Sequence, residues 1–258
     1  MPFQKPFCLA LSGGGTKGLA HAGVLQFLDE QKITIDKISG TSAGSIVGGL
    51  YAAGKKPEEI LEFFKSVPLF SWKHFTISKP GIIDSKAFKH YFKNFIGNDI
   101  LIGETNIPIY ITATDLVSGN LKIFNKDERL IDAILASSSV PGVFSPVKIG
   151  DNLYADGAIL NNFPTDLLQT DCNYLLGVYV SPLQELSVKQ ISTIRAVTSR
   201  SFELLAVKEM ILKRKYCDEI IEPKALSKYN TFETNAKKMD EIFEIGYQEA
   251  KKVLTPVI

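Results

Sequence analysis

What this sequence is short of narrows its chemistry before any motif is read. It has almost no excess of charge: 29 Lys plus Arg stand against 28 Asp plus Glu, for a formal net charge of +1. No basic block is longer than Lys213-Arg214-Lys215, which excludes a broad electrostatic footprint for nucleic acid. Its three cysteines, Cys8, Cys172 and Cys217, are odd in number, widely spaced and without a CxxC pair. That usage argues against a disulfide framework or a zinc finger and reads as reduced, mostly buried thiols. No apolar run approaches the roughly 18 residues that span a bilayer, and the N-terminal apolar stretch is too short for a signal peptide. A soluble cytoplasmic protein is the expectation. Histidine is scarce too, with only His21, His74 and His90 to serve any imidazole-based mechanism.

What is present alternates between two periods. Apolar runs at Phe7 to Ser12, Lys37 to Gly40 and Tyr174 to Val180 read as strands of a sheet buried on both faces. Between and after them come helical patterns at Lys17 to about Gln31, Ala43 to Ala53, a start at Pro57, Asp84 to Phe95, and Val188 to about Lys213. Met239, Ile242, Phe243, Gly246, Ala250, Val253 and Leu254 place another amphipathic helix near the C-terminus. Ser118-Gly119-Asn120 and Gly150-Asp151-Asn152 each lie between two short β-type runs, the pattern of a hairpin. This order predicts one α/β domain over residues 1–258, a three-layer α/β/α sandwich on a largely parallel central sheet.

Three motifs carry chemistry. Gly13-Gly14-Gly15-Thr16-Lys17-Gly18 lies between the first strand and its helix, where bare backbone N–H groups and a helix N-terminus favour an anion. A phosphate-binding P-loop needs glycine directly before the lysine, and Thr16 stands there instead. Gly13, Gly15 and Gly18 also fit GxGxxG, but Asp36 precedes the second strand, whereas a ribose-binding acid belongs at that strand's end. Gly40-Thr41-Ser42-Ala43-Gly44 matches G-x-S-x-G at a strand-to-helix transition, the setting of a nucleophile elbow. The plainer alternative makes Ser42 a helix cap. His21 shares a helix face with Leu25 and Leu28 and reads as a core residue, and no motif surrounds His74 or His90. A carboxylate remains as base, and Asp156-Gly157-Ala158 offers one directly after a strand, although an Asp-Gly pair taken alone means a turn.

The set GGGTKG, GTSAG and DGA, with LALSGGGTKGLAHAGVL, ATDLVSG, ASSSVPGVFSPV and YADGAILNNFP around it, resembles the patatin-like phospholipase family over about residues 7–165. Lys17 stands where many members carry Arg, which keeps the charge and loses the bidentate fork. The resemblance implies a Ser42 nucleophile, Asp156 as general base and an oxyanion hole from Gly13, Gly14, Gly15 and Ala43. Lys17, Gly18, Gly40, Gly44 and Gly157 would support the motifs, and neither cofactor nor metal is required. The implied substrate is a lipid or other acyl ester cleaved through an acyl-enzyme. A short-chain esterase or thioesterase, or a non-catalytic lipid-binding regulatory module, are the rival readings. An unperturbed carboxylate is a weaker base than imidazole by about 2.6 pKa units, roughly 3.5 kcal/mol, so the site must compensate. Phe70, Trp72 and Phe75 in the stretch Val67 to Ile77 form a candidate lid or patch for transient membrane-surface contact, set against ordinary packing in a loop.

Overall fold

The computed structural model describes residues 6–67 and 85–255, with the backbone alone at 85–87 and 195. Phe70, Trp72, His74 and Phe75 lie outside the described residues. The central sheet is mixed and mostly parallel. β1 (Phe7–Leu11), β2 (Lys37–Thr41), β3 (Ile109–Asp115), β7 (Tyr174–Val178) and β8 (Glu219–Ile221) run parallel in the order β3-β2-β1-β7-β8. The two expected hairpins are antiparallel: β4 (Leu121–Phe124) pairs with β3, and β5 (Val147–Ile149) with β6 (Asn152–Asp156), which joins the sheet at β3.

The helices are α1 (Leu19–Glu30), α2 (Ala43–Ala52), α3 (Pro57–Ser66), α4 (Ser85–Ile96), α5 (Leu130–Ser137), α6 (Ile194–Lys213) and α7 (Ala236–Leu254). The expected helix from Val188 is divided: a 3-10 turn covers Val188–Ile191, and α6 begins only at Ile194. The cause is Thr193, whose side chain accepts from Ala196 N–H at 3.1 Å and so caps a new helix in place of continuing the old one. α5 and β8 went unread in the sequence because each is short and without a distinctive period.

The pleat of β1 divides the interior. Phe7, Leu9 and Leu11 enter the large core that includes residues of α1, α2, α5 and α7, while Cys8 and Ala10 enter a smaller one with Phe163, Leu168, Tyr179 and Met210 of α6. In the large core α1 and α7 approach closely through two glycines. A Cβ at Gly23 would collide with the Phe243 carbonyl, and one at Gly246 with the Ala20 carbonyl. In the small core the cysteine reading needs correction: Cys8 and Cys172 form a disulfide across a sequence separation of 164, and Cys217 alone is free. The adjacency of β1 and β7 brings these two residues together, which spacing along the chain does not reveal.

Candidate active site

The sheet register sets the site. Thr41 of β2 pairs with Thr112 of β3, and Asp156 of β6 pairs with Ala113, the next residue of the same strand. Adjacent residues of β3 therefore hold the last residue before Ser42 and the carboxylate itself. Hydroxyls reinforce the ladder: Thr114 Oγ1 donates to the Asp156 carbonyl at 2.9 Å, and Thr41 Oγ1 donates to the Asn161 carbonyl at 2.7 Å.

Ser42 stands between β2 and α2 with φ 52° and ψ −120°, a conformation that side-chain-bearing residues rarely adopt and that costs about 1–3 kcal/mol. Its surroundings hold it there. The Ser42 N–H donates to Ser137 Oγ at 2.8 Å, and its carbonyl accepts from Ser45 N–H, Ile46 N–H and Ser45 Oγ in the first turn of α2. Small residues permit the sharp turn: a Cβ at Gly44 would collide with the Leu11 carbonyl, one at Gly157 with the Thr112 carbonyl, and those at Gly40 and Gly18 would press on Gly44 and Ala43.

The outcome is a direct contact, in which Ser42 Oγ donates to Asp156 Oδ2 at 2.6 Å. The other carboxylate oxygen accepts from Ala158 N–H at 2.8 Å, and the Asp156 N–H donates to the Ser139 carbonyl at 2.9 Å. Both side chains are nearly closed to solvent, at 6% exposure for Ser42 and 3% for Asp156. Burial raises the Asp156 pKa to about 6, against the lowering effect of the hydrogen bonds from Ser42 and Ala158. At about 1.4 kcal/mol per pKa unit, that recovers about 3 kcal/mol of the basicity a carboxylate lacks beside imidazole.

The glycine loop lies alongside. The Gly13 N–H donates to the Asn162 carbonyl at 3.0 Å, and the Thr16 N–H to the Thr231 carbonyl at 2.8 Å. The Gly13 amide is thus engaged within the protein, and the residue's part in the site is steric, since a Cβ there would collide with Asn162 Oδ1 and press on Ser42 Cβ at 3.2 Å. Among the described residues the N–H groups of Gly14 and Gly15 have no backbone acceptor. Gly15 takes φ 60°, the left-handed region that suits glycine. Lys17 is buried and without an ion pair among the described residues, and desolvation lowers its pKa against the pull of Glu203. Gly18 abuts Ala43, so the N-termini of α1 and α2 both lie beside the loop.

His21 is the core residue the sequence reading anticipated. It is fully buried and donates from Nε2 to the Ser12 carbonyl at 2.8 Å, while burial lowers its pKa to about 4. It braces the start of the loop. His90 lies exposed on α4, with Nε2 at 2.9 Å from Asn94 Nδ2. Ser137, Ser139 and Asn162, which fix the nucleophile, the base and the loop, received no role from the sequence alone. Their signal was the segments ASSSVPGVF and ILNNFP, whose purpose appears only in three dimensions. No group of three or more His, Cys, Asp and Glu side chains is gathered as a metal site among the described residues.

Comparison with known proteins supplies the family and the fold. A family model described as patatin-like phospholipase matches residues 9–168, more than half of the chain and inclusive of Ser42 and Asp156. An uncharacterised NTE family protein of Mycobacterium tuberculosis is 36% identical over 159 residues, covering 60% of this chain and 43% of that protein. Human patatin-like phospholipase domain-containing protein 6 is 26% identical over 282 residues, covering 95% of this chain and 20% of its own length. The chain spans less than half the length of these relatives. Among solved structures, VipD from Legionella pneumophila aligns with a TM-score of 0.55 at 11% identity, covering 97% of this chain and 66% of that one. The type III effector ExoU aligns at 0.50 and 14%, covering 97% and 53%. At these identities the likeness is one of fold.

Proposed function

The chain belongs to the patatin-like phospholipase family, and from that premise we propose that it is a serine acyl hydrolase that cleaves carboxylic esters of lipids with Ser42 and Asp156 as its catalytic pair. The observation that carries this reading is the 2.6 Å hydrogen bond from Ser42 Oγ to a buried carboxylate whose pKa is raised to about 6. Such a base is ionised at neutral pH and strong enough to take the hydroxyl proton as the bond to the acyl carbon forms.

The steps balance with these residues alone. Ser42 Oγ attacks the ester carbonyl and Asp156 accepts its proton. The negative charge that develops on the carbonyl oxygen is held by the N–H groups of Gly14, Gly15 and Ala43, with Lys17 adding positive potential. Asp156 returns the proton to the departing alcohol, leaving an acyl-Ser42. Water then attacks the acyl carbon while Asp156 accepts its proton, the bond to Ser42 Oγ breaks as that proton passes back to Oγ, and the fatty acid leaves. Esters, whose alkoxide departs more readily than an amide nitrogen, suit a carboxylate base. The substrate class on this reading is phospholipid, lysophospholipid or acylglycerol.

The test is fluorophosphonate labelling together with p-nitrophenyl ester turnover. Ser42→Ala should abolish both, and Asp156→Asn should lower turnover by about 10²–10⁴. Undiminished rates in either variant would remove that residue from the mechanism. In the unaltered protein kcat/KM should climb through about pH 6 to a plateau, because Asp156 acts only when ionised. Residual turnover in Asp156→Asn that kept the same midpoint would assign the ascending limb to another group. A screen of phospholipid, lysophospholipid, acylglycerol and acyl-thioester substrates identifies the ester class.

A further inference from the structure

α6 is turned inside out for a helix on the surface of a globular protein. Four of its charged side chains, Arg200, Glu203, Glu209 and Lys213, are tied up in contacts within the protein. Glu209 accepts from the Asn162 N–H, and Lys213 Nζ lies 2.8 Å from Asp166 and 2.9 Å from Glu209. Arg200 donates to Glu203 at 3.0 Å and to the Gln184 carbonyl at 2.8 Å. Its apolar residues face outward: Val197 and Leu204 are each 49% exposed, Leu205 58%, Ile211 64% and Leu212 61%. Val197, Leu204 and Ile211 recur every seven residues, as do Leu205 and Leu212, so the five form one stripe along the helix.

We infer that this stripe is the surface by which the molecule settles on an anionic lipid bilayer, an inference that rests on the proposed lipid hydrolase reading for the choice of a lipid occupant. Charge selects the bilayer. On the helical wheel Lys208 stands within the stripe, and Arg214 and Lys215 follow at its C-terminal end, all three exposed. The exposed carboxylate of Glu203 is already paired with Arg200. The stripe therefore presents apolar side chains edged by exposed cations that have no ion pair among the described residues, Lys215 lying over the Tyr216 ring at 5.0 Å, the combination that inserts into the headgroup region and attracts acidic lipid. A second copy of the same face would draw another Lys208 into an apolar seam, whereas headgroup phosphates neutralise it.

Position links the surface to the site. α6 packs against Gly157–Ile159, the turn that follows Asp156, and beyond it Leu160 is 44% exposed. Glu209 holds Asn162, whose carbonyl accepts from Gly13 in the glycine loop, and Glu203 acts electrostatically on Lys17. Docking through α6 would bring lipid to the rim of the pair that would cleave it.

Cosedimentation of the full chain with phosphatidylcholine vesicles, with and without phosphatidylglycerol, tests this. The protein should bind the anionic vesicles, release as salt rises, and bind neutral vesicles far less. Lys208→Glu with Arg214→Glu and Lys215→Glu should weaken binding on the order of a hundredfold, and Leu205→Ser with Leu212→Ser at least about tenfold. Both sets should leave the turnover of a soluble p-nitrophenyl ester unchanged. Equal vesicle binding by variants and parent, or no binding by the parent, overturns the inference. So does a fall in oligomeric state of the leucine variant by light scattering, which would assign the stripe to a second copy. The two readings fail separately: loss of Ser42 labelling with vesicle binding intact sinks the hydrolase alone, and intact ester turnover without vesicle binding sinks the docking surface alone.

Discussion

The two faces of the central sheet carry helices of nearly equal length that use their apolar residues in opposite ways. α7, of 19 residues, turns Met239, Ile242, Gly246, Ala250 and Leu254 inward and lies along α1 with backbones close enough to require glycine. α6, of 20 residues, buries Met210 alone among its described residues and holds its place through ion pairs and a hydrogen bond to the Asn162 amide. Apolar burial stabilises the first face in proportion to area removed from water. Partly exposed ion pairs contribute much less, about 0–1 kcal/mol each. Stability thus resides on the α7 face, while the α6 face keeps its apolar surface free.

The comparison breaks most visibly at the α1–α7 seam. Gly246→Val sets a side chain against the Ala20 carbonyl, and the helices must part. A loss of more than about 3 kcal/mol in urea unfolding is expected, and an unchanged midpoint would show that the seam is not close-packed. Ile242→Ala, at a fully buried position of α7, should cost about 2–5 kcal/mol.

A second effect is opposite in sign and depends on pH. Asp156 takes up a proton more readily folded than unfolded, since its pKa is raised to about 6. Its ionisation therefore opposes folding, fully above about pH 6 and not at all below about pH 4. His21 on the α1 side does the reverse: with its pKa lowered to about 4, it withdraws stability as pH falls below about 6.5. The two trends oppose each other between these limits. Asp156→Asn removes one of them. The variant should exceed the parent by up to about 3 kcal/mol above pH 6, with the advantage vanishing toward pH 4. Urea midpoints across that range check it, and an advantage independent of pH would mean that burial of the charge is not its source.

The smallest effect sharpens the contrast. Leu212→Ala on the outward face of α6, 61% exposed, should shift stability by no more than about 0.5 kcal/mol, against the large cost of the Ile242 truncation. Calorimetry on the pair decides whether the two helices differ as described.

Much of the frame was legible beforehand because strands buried on both faces and glycine-rich turns leave strong local patterns. β1, β2, β7 and both hairpins fall where apolar runs and turn residues placed them. Gly40 to Gly44 and Asp156 could be marked as a possible pair from type and context, although the 2.6 Å contact needs the β3 register. The supports were not legible. Ser137 reaches Ser42 across 95 residues, and nothing in its own neighbourhood announces an acceptor for a strained amide. The Cys8–Cys172 bridge depends on β1 lying beside β7. The outward turn of α6 escaped for a related reason: periodicity reveals that a helix has two faces but not which of them meets water.

The shared seat of Thr41 and Asp156 on β3 frees the chain from guarding the distance between its two reacting groups by length. The 114 positions that separate Ser42 from Asp156 can gain or lose residues at the Ser118-Gly119-Asn120 and Gly150-Asp151-Asn152 turns without moving either group. A single residue added within β6 has another result, because the alternation of the strand would swing the carboxylate to the opposite side of the sheet. Divergence in this molecule has wide latitude in its turns and almost none along three residues of one antiparallel ladder.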